Sequence, residues 1–284
     1  MVNAAVGWQA RLQLAFERSR GRTRLAQRRH CGPLLVQRAF YPEPPPAAAG
    51  MAAEPCHVYI LHPPAGVVSG DELQLEVEVG PGAHALLTTP AAGKFYRCDA
   101  QQHARLSQRL RVDGGVLEWL PQENIFYPEA AVELRTVVQL SGTARFFGWE
   151  IGCLGLPANQ ASLGGGVVRQ AFELWLQQTP LLLERLHIER PVLNSRWGLA
   201  GHTALGSALA YPAGPVQLEQ ARAALAGMNC ADLTLACTLV DAVLSCRGYA
   251  ARADRLKQAF VDLWGALRPP LLGRRAIPPR IWAT

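Results

Sequence analysis

Apolar and polar residues alternate one for one along most of the first two-thirds of the chain. In WQARLQLAF, Trp8, Ala10, Leu12, Leu14 and Phe16 fall on one side, with Gln9, Arg11 and Gln13 on the other. That is the period of a half-buried strand. LQLEVEV (73–79) repeats it with Glu76 and Glu78 outside, and VELRTVVQL (132–140) gathers Val132, Leu134, Val138 and Leu140. VRQAFELWL (168–176) and LLERLHIE (182–189) continue the theme. Turn formers separate these runs: Gly80-Pro81-Gly82, the SLGGG loop over 162–166, and Asp113-Gly114-Gly115, where a hairpin is expected between LSQRLRV and VLEWL. Strands at this spacing predict a mainly β fold of stacked, largely antiparallel sheets rather than an α/β alternation.

The period lengthens late in the chain. VQLEQARAALAGM (216–228) holds good helix formers after a break at Pro212–Pro215. YAARADRLKQAFVDLWGALRP (249–269) sets Leu256, Phe260, Leu263 and Leu267 on one helical stripe and is expected to end at Pro269. A few α-helices are therefore expected in the C-terminal third. No repeat or domain boundary stands out, so one domain is expected over 1–284, β-rich through 210 and helix-containing over 211–284. The Pro-rich tract Pro42 to Ala49 reads as a loop. The tail RRAIPPRIWAT is expected to lie extended along a sheet edge.

Composition narrows the function classes. With 49% hydrophobic and 18% charged residues, the chain affords a large core. It has no apolar run long enough to span a membrane and no basic-then-apolar leader, so a soluble cytoplasmic protein is expected. Seven scattered cysteines with no CxxC pair make neither a disulfide framework nor a structural zinc site, and read as small buried hydrophobes. Residues 1–38 carry eight Arg and one acid, and four Arg with no acid follow Asp262, so basic ends enclose an acidic middle. Such ends suit an anionic partner or an ordinary charged surface. A nucleic-acid binder would use them in steeply salt-dependent binding. The aromatic stacking residues of a single-strand binder are not interleaved with these Arg.

Catalytic motifs are incomplete. Around Gly93-Lys94, Thr88 and Phe95 stand where a phosphate-binding loop needs Gly and Ser or Thr. Gln160-Ala161-Ser162-Leu163-Gly164 lacks the first Gly of a nucleophile elbow, which leaves a β-scaffold hydrolase using Ser162 or a carboxylate as an alternative function. His30-Cys31, Cys56-His57 and His62 offer borderline ligands, but neighbours on a strand point to opposite faces, so a structural role or a weak site is expected. Glu150 in ARFFGWEIG and Glu184 in LLLERLHIE interrupt apolar surroundings. Each either faces solvent or pairs with an Arg, or lines a polar passage for a cation held by oxygen donors.

Five stretches carry a resemblance to a known family: GPLLVQRAFYPE (32–43), CHVYILHPPAGVVSGDEL (56–73), TTPAAGKFYR (88–97), WLPQENIFYPEA (119–130) and PRIW (279–282). In order and spacing they resemble the urease accessory protein family UreD, also called UreH, from Trp8 to Trp282. The resemblance implies a mainly β, non-enzymatic protein that binds apo-urease and UreF, which recruits the GTPase UreG. It further implies delivery of Ni²⁺ to the urease active site through a passage, with no tightly bound cofactor. By position in the matching motifs, Asp71, Glu150 and Glu184 are the candidate nickel-passage residues. The chain departs from the family's His-Pro-Pro-Gly-Gly at Ala65. If that position takes a positive φ, Ala strains the turn.

Overall fold

The structure, a computed structural model, describes residues 7–44, 53–98 and 102–283. The expected loop at Pro42 to Ala49 lies largely outside them. In chain order the first strands are β1 Gln9–Ser19, β2 Arg22–Cys31, β3 Leu35–Val36, β4 Cys56–Leu61, β5 Glu72–Val79 and β6 His84–Thr88. Then come β7 Gly93–Phe95, β8 Ala104–Asp113, β9 Val116–Trp119, β10 Asn124–Phe126, β11 Ala131–Ser141 and β12 Arg145–Leu154. The rest are β13 Val167–Leu176, β14 Thr179–Ile188, α1 Arg190–Asn194, β15 Ala204–Tyr211, α2 Pro215–Ala224, β16 Leu233–Val240, β17 Val243–Ala250 and α3 Ala253–Leu272.

Two sheets stack face to face. The first runs β14-β13-β11-β8-β5-β1-β2; the second runs β16-β17-β15-β12-β9-β6-β4-β3, with β10 and β7 added beside β12. The mainly β, stacked-sheet expectation holds, and the helices are mostly C-terminal. Strand direction does not follow it. β1, β5, β8, β11 and β13 are mutually parallel, as are β4, β6, β9 and β12; antiparallel pairs are confined to the flanks. The chain crosses from one sheet to the other at each glycine-rich turn and then returns. Sheet neighbours are thus successive coils running the same way. Alternation reports which face is buried but carries no information about partner direction.

Asp113-Gly114-Gly115 is accordingly an inter-sheet corner rather than a hairpin. The corners stack: the Gly82 amide donates to the Gly114 carbonyl at 2.9 Å, and the Gly114 amide to the Ser141 carbonyl at 3.0 Å. A Cβ on Gly115 would sit 2.6 Å from the Gly80 carbonyl oxygen, so the coil repeat is a spacing of corners rather than a recurring sequence.

The inner faces of both sheets form one apolar core, including Leu12, Val77, Leu110, Val138, Phe146 and Leu174. The outer face of the second sheet is covered by α3, which packs Phe260, Leu263, Trp264 and Leu267 against Phe147, Trp149 and Ile151. The outer face of the first sheet stays in water and carries ion pairs such as Arg11–Glu76 and Arg111–Glu78. No helix among the described residues is long and apolar enough to cross a membrane.

Three C-terminal details differ from the sequence expectation. Helix α2 is shorter than expected, and β16 and β17 follow it, so part of the region past 211 is sheet. Helix α3 runs through Pro269 and Pro270 and stops at Gly273, whose φ of +70° places it in the left-handed cap position. Each proline removes one amide that would bond the carbonyl four residues back, and buried Leu271 and Leu272 hold the turn in place. The tail is a 3₁₀ turn over Arg280–Ala283 instead of an edge strand. Trp282 packs on Trp149 and Trp264, donates Nε1–H to Thr88 Oγ1 at 2.9 Å, and lies beneath the Lys257 ammonium.

Ala65 has φ +61° in the turn after β4. A left-handed non-glycine residue costs about 1–2 kcal/mol, partly offset by glycine's greater unfolded-state entropy. The residue is exposed and only edges a cavity, so removing its methyl loses little packing. Ala65→Gly is expected to stabilise the protein by about 0.5–1 kcal/mol. The urea midpoint should rise with an unchanged slope; an unchanged or lower midpoint would show the turn is unstrained.

Candidate functional site

Glu150 lies on β12 with its side chain between the sheets, on the same strand face as Gly148 and Gly152. The sequence Gly148-Trp149-Glu150-Ile151-Gly152 therefore puts two absent side chains beside one carboxylate. A Cβ on Gly148 would come within 2.6 Å of the Phe146 ring, and one on Gly152 within 3.1 Å of the Phe126 ring. The outer phase of the same strand, Trp149 and Ile151, fills the contact with α3.

The space left open is a cavity of about 290 Å³, lined on one side by Glu150, Ser207 and Arg247 and on the other by Gln170, Phe172 and Glu184. Strand register explains the grouping. Glu150 pairs with Ser207, and Ser207 with Arg247, so these three form one row across the second sheet. Gln108, Thr136, Phe172 and Glu184 form a row across the first. Two mainly polar rows thus face each other between the sheets, with Gln170 beside them.

A second cavity of about 330 Å³ lies on the other side of Glu150, which lines both. Its walls include His62, Pro63 and Ala65 from the turn after β4, Lys94, Gln108, Gln122 and Asn124. The stretch LHPPAGVVSGDEL therefore shapes this cavity through its first half. Burial holds the His62 imidazole pKa below its ordinary value, against the opposing charge of Asp71.

Burial pushes the Glu150 carboxyl pKa up to about 7, against hydrogen bonds from Thr136 and Gln170 that favour the anion; the charge of Glu184 adds to the rise. Gln170 Nε2 donates to Oε2 at 2.5 Å. Oε1 touches Thr136 Oγ1, which is also 2.7 Å from Gln108 Oε1. Thr136 has one hydroxyl proton for two oxygen neighbours. When Glu150 carries a proton the chain is complete: Glu150 donates to Thr136, and Thr136 donates to Gln108.

Glu184 pairs with Arg247 across the cavity, while its sequence neighbour Arg185 pairs with Glu173. Asp71 is elsewhere. Its Oδ1 accepts the Trp8 amide at 2.8 Å and its Oδ2 the Val68 amide at 2.9 Å. It is buried as a turn cap that ties β5 to the start of β1, and it lines neither cavity. The structure brings Glu150 and Glu184 together and leaves Asp71 out. Sequence reading missed Gln108, Thr136, Gln170, Ser207 and Arg247. For Thr136 and Gln108 a signal existed, because each occupies the apolar phase of an alternating strand.

The other chemistry has less support. Ser162 is exposed in its loop and its Oγ accepts the Gly164 amide at 3.3 Å; among the described residues no histidine is hydrogen-bonded to it. No group of three or more His, Cys, Asp or Glu placed to hold a metal occurs among the described residues. The two facing carboxylates do not by themselves make a closed ligand set.

Residues 9–283 match the family model described as UreD urease accessory protein. The chain is similar to the urease accessory protein UreD of Enterobacter sp. (strain 638), 40% identical over 279 residues, covering 98% of this chain and 96% of that one. It is 39% identical over 278 residues to UreD of Klebsiella aerogenes, covering 98% and 97%. It is 41% identical over 282 residues to UreD of Escherichia coli, covering 98% of each chain.

Proposed function

The chain belongs to the UreD urease accessory family, and from that premise we propose that it is a non-enzymatic, cytoplasmic scaffold of urease maturation that passes Ni²⁺ through its own interior. In this reading it binds apo-urease and UreF, and UreG joins through UreF. The observation that carries the passage is the position of Glu150 in the wall shared by two cavities, with Glu184 facing it across the first.

The chemistry suits transit rather than storage. Carboxylate and amide oxygens hold a divalent ion less tightly than thiolates or imidazoles would. Glu184 is engaged by Arg247, so an arriving cation competes with a guanidinium for the same oxygens. Glu150 loses a proton to become a ligand and regains it when the ion leaves, which lowers affinity further at neutral pH. Asp71 caps the turn before β5 and takes no direct part in this route.

The test is co-expression with the urease subunits, UreF and UreG from one source, with this chain omitted, native, or carrying Glu184→Ala. The Glu184–Arg247 pair is partly solvated, so its loss costs at most about 1 kcal/mol and the protein should fold. Native chain should co-purify with the others, and omission should abolish nickel-dependent activity. Glu184→Ala should co-purify normally while activation falls several-fold. Absence of co-purification would remove the scaffold; full activation by the variant would remove the passage.

A further inference from the structure

Strands β16 and β17 form the outermost hairpin of the second sheet, and β16 is its edge, bonded to β17. They join through Asp241-Ala242, with Asp241 at φ +50°, in a two-residue turn. The flanking pair Val240–Val243 exchanges hydrogen bonds in such a hairpin, and bonded and non-bonded pairs alternate from there. Counting back, Cys237 faces Cys246 at a non-hydrogen-bonded position. There the Cα atoms approach to about 4.5 Å, within the span of about 4.4–6.8 Å that a disulfide bridges. The register sets the two thiols side by side on one face of the hairpin. Both are free, Cys246 buried and Cys237 half-buried. They lie on the apolar side of the hairpin, beneath α2, while Thr234, Ala236, Arg247 and Gly248 on the same two strands wall the cavity beside Glu184.

We propose that Cys237 and Cys246 are a reversible dithiol–disulfide pair, oxidised by small disulfides of the glutathione type, that staples the edge hairpin walling the Glu150–Glu184 cavity. Cys237 is the attacking thiol, because it is the more accessible of the two. The neighbouring Cys246 thiol, helped by the charge of Arg222 on α2, holds its pKa below the ordinary thiol value against the effect of burial. The Cys237 thiolate attacks one sulfur of the small disulfide, forming a mixed disulfide and expelling one thiolate. Cys246 then gives up its proton and attacks Cys237 Sγ, expelling the second. The protein loses two protons and two electrons, and the small disulfide becomes two thiols. The bridge closes on the far side of the strands from the cavity, so it holds the wall without filling the space.

Full-length protein equilibrated with oxidised glutathione, acid-quenched and alkylated, should yield a Cys237–Cys246 linked peptide on mass mapping, and dithiothreitol should reverse it. Cys246→Ala should trap glutathione on Cys237. Amide exchange at Ala236 and Thr238 should slow by roughly 10- to 100-fold in the oxidised form, as expected for closing so short a loop. The assignment is overturned if Cys237 and Cys246 stay alkylatable under conditions that modify exposed Cys31 and Cys230. Linkage without slower exchange would overturn the staple.

Discussion

Replacing Arg268 by Met lowers the free energy of unfolding by about 3–5 kcal/mol, the cost of leaving buried charge without its partner. Arg268 is wholly buried on α3 and reaches two carboxylates on the outer side of the second sheet. Its Nε and Nη2 each donate to Glu118 at 2.9 Å, and Nη2 also donates to Glu43 at 2.5 Å. Glu118 further accepts from His84 Nε2 at 2.6 Å and Trp264 Nε1 at 2.5 Å, and Glu43 from His57 Nε2 at 2.8 Å. Burial alone would raise the pKa of both acids. Arg268 and His84 outweigh it at Glu118, and His57 and Arg268 outweigh it at Glu43, so both sit below the ordinary carboxylate value. That stability is present above about pH 4.5 and is lost as pH falls through the folded-state values. Arg268→Met should therefore also flatten the acid limb of the stability curve. Urea unfolding from pH 3 to 7 reads both effects. Adding Glu43→Gln and Glu118→Gln should recover much of the loss, since the unpaired anions carry the cost. A loss below about 1 kcal/mol at pH 7 would mean the cluster is hydrated rather than buried.

This cluster explains why the fold was only partly legible. The strands were readable because their alternation reflects a buried and an open face, and Gln9–Ser19, Glu72–Val79 and Ala131–Ser141 fall where the pattern sets them. The coil was not readable. Corner turns and hairpin turns use the same glycines, and only long-range pairing tells them apart. Partners drawn from Glu43, Glu118 and Arg268 are too distant in sequence to be joined by any local rule. The candidate site divides the same way. Glu150 and Glu184 were visible as acids in apolar runs, whereas Ser207 and Arg247 reach the cavity through register alone. Asp71 carried the same family signal, yet the backbone amides of Trp8 and Val68 occupy its oxygens.

Glu150→Gln should make the protein more stable at pH 8 and worse at its work. The Glu150 pKa is raised from 4.5 to about 7 in the folded state, first by burial. Between those values the folded protein holds a proton that the unfolded chain has released. Stability therefore falls as pH rises through this window and stays low above it. At about 1.4 kcal/mol per unit, the native protein gives up as much as about 3 kcal/mol by pH 8. Glutamine keeps the shape of the protonated acid, accepting from Gln170 and donating to Thr136, without the charge. The variant should match the native protein near pH 4 and exceed it by up to about 3 kcal/mol at pH 8, read from urea midpoints at both pH values. In the co-expression assay it should enter the complex normally yet activate urease at least several-fold less, because an amide oxygen is a poorer ligand for Ni²⁺ than a carboxylate. The two readouts separate two failures. Equal stability at pH 8 would show that Glu150 is solvated and the polar rows are open to water. Greater stability with full activation would show that the carboxylate costs stability for some purpose other than carrying the ion. A native protein less stable than the variant at pH 8, together with activation lost in the variant, would tie the cost of this buried charge to the passage proposed above.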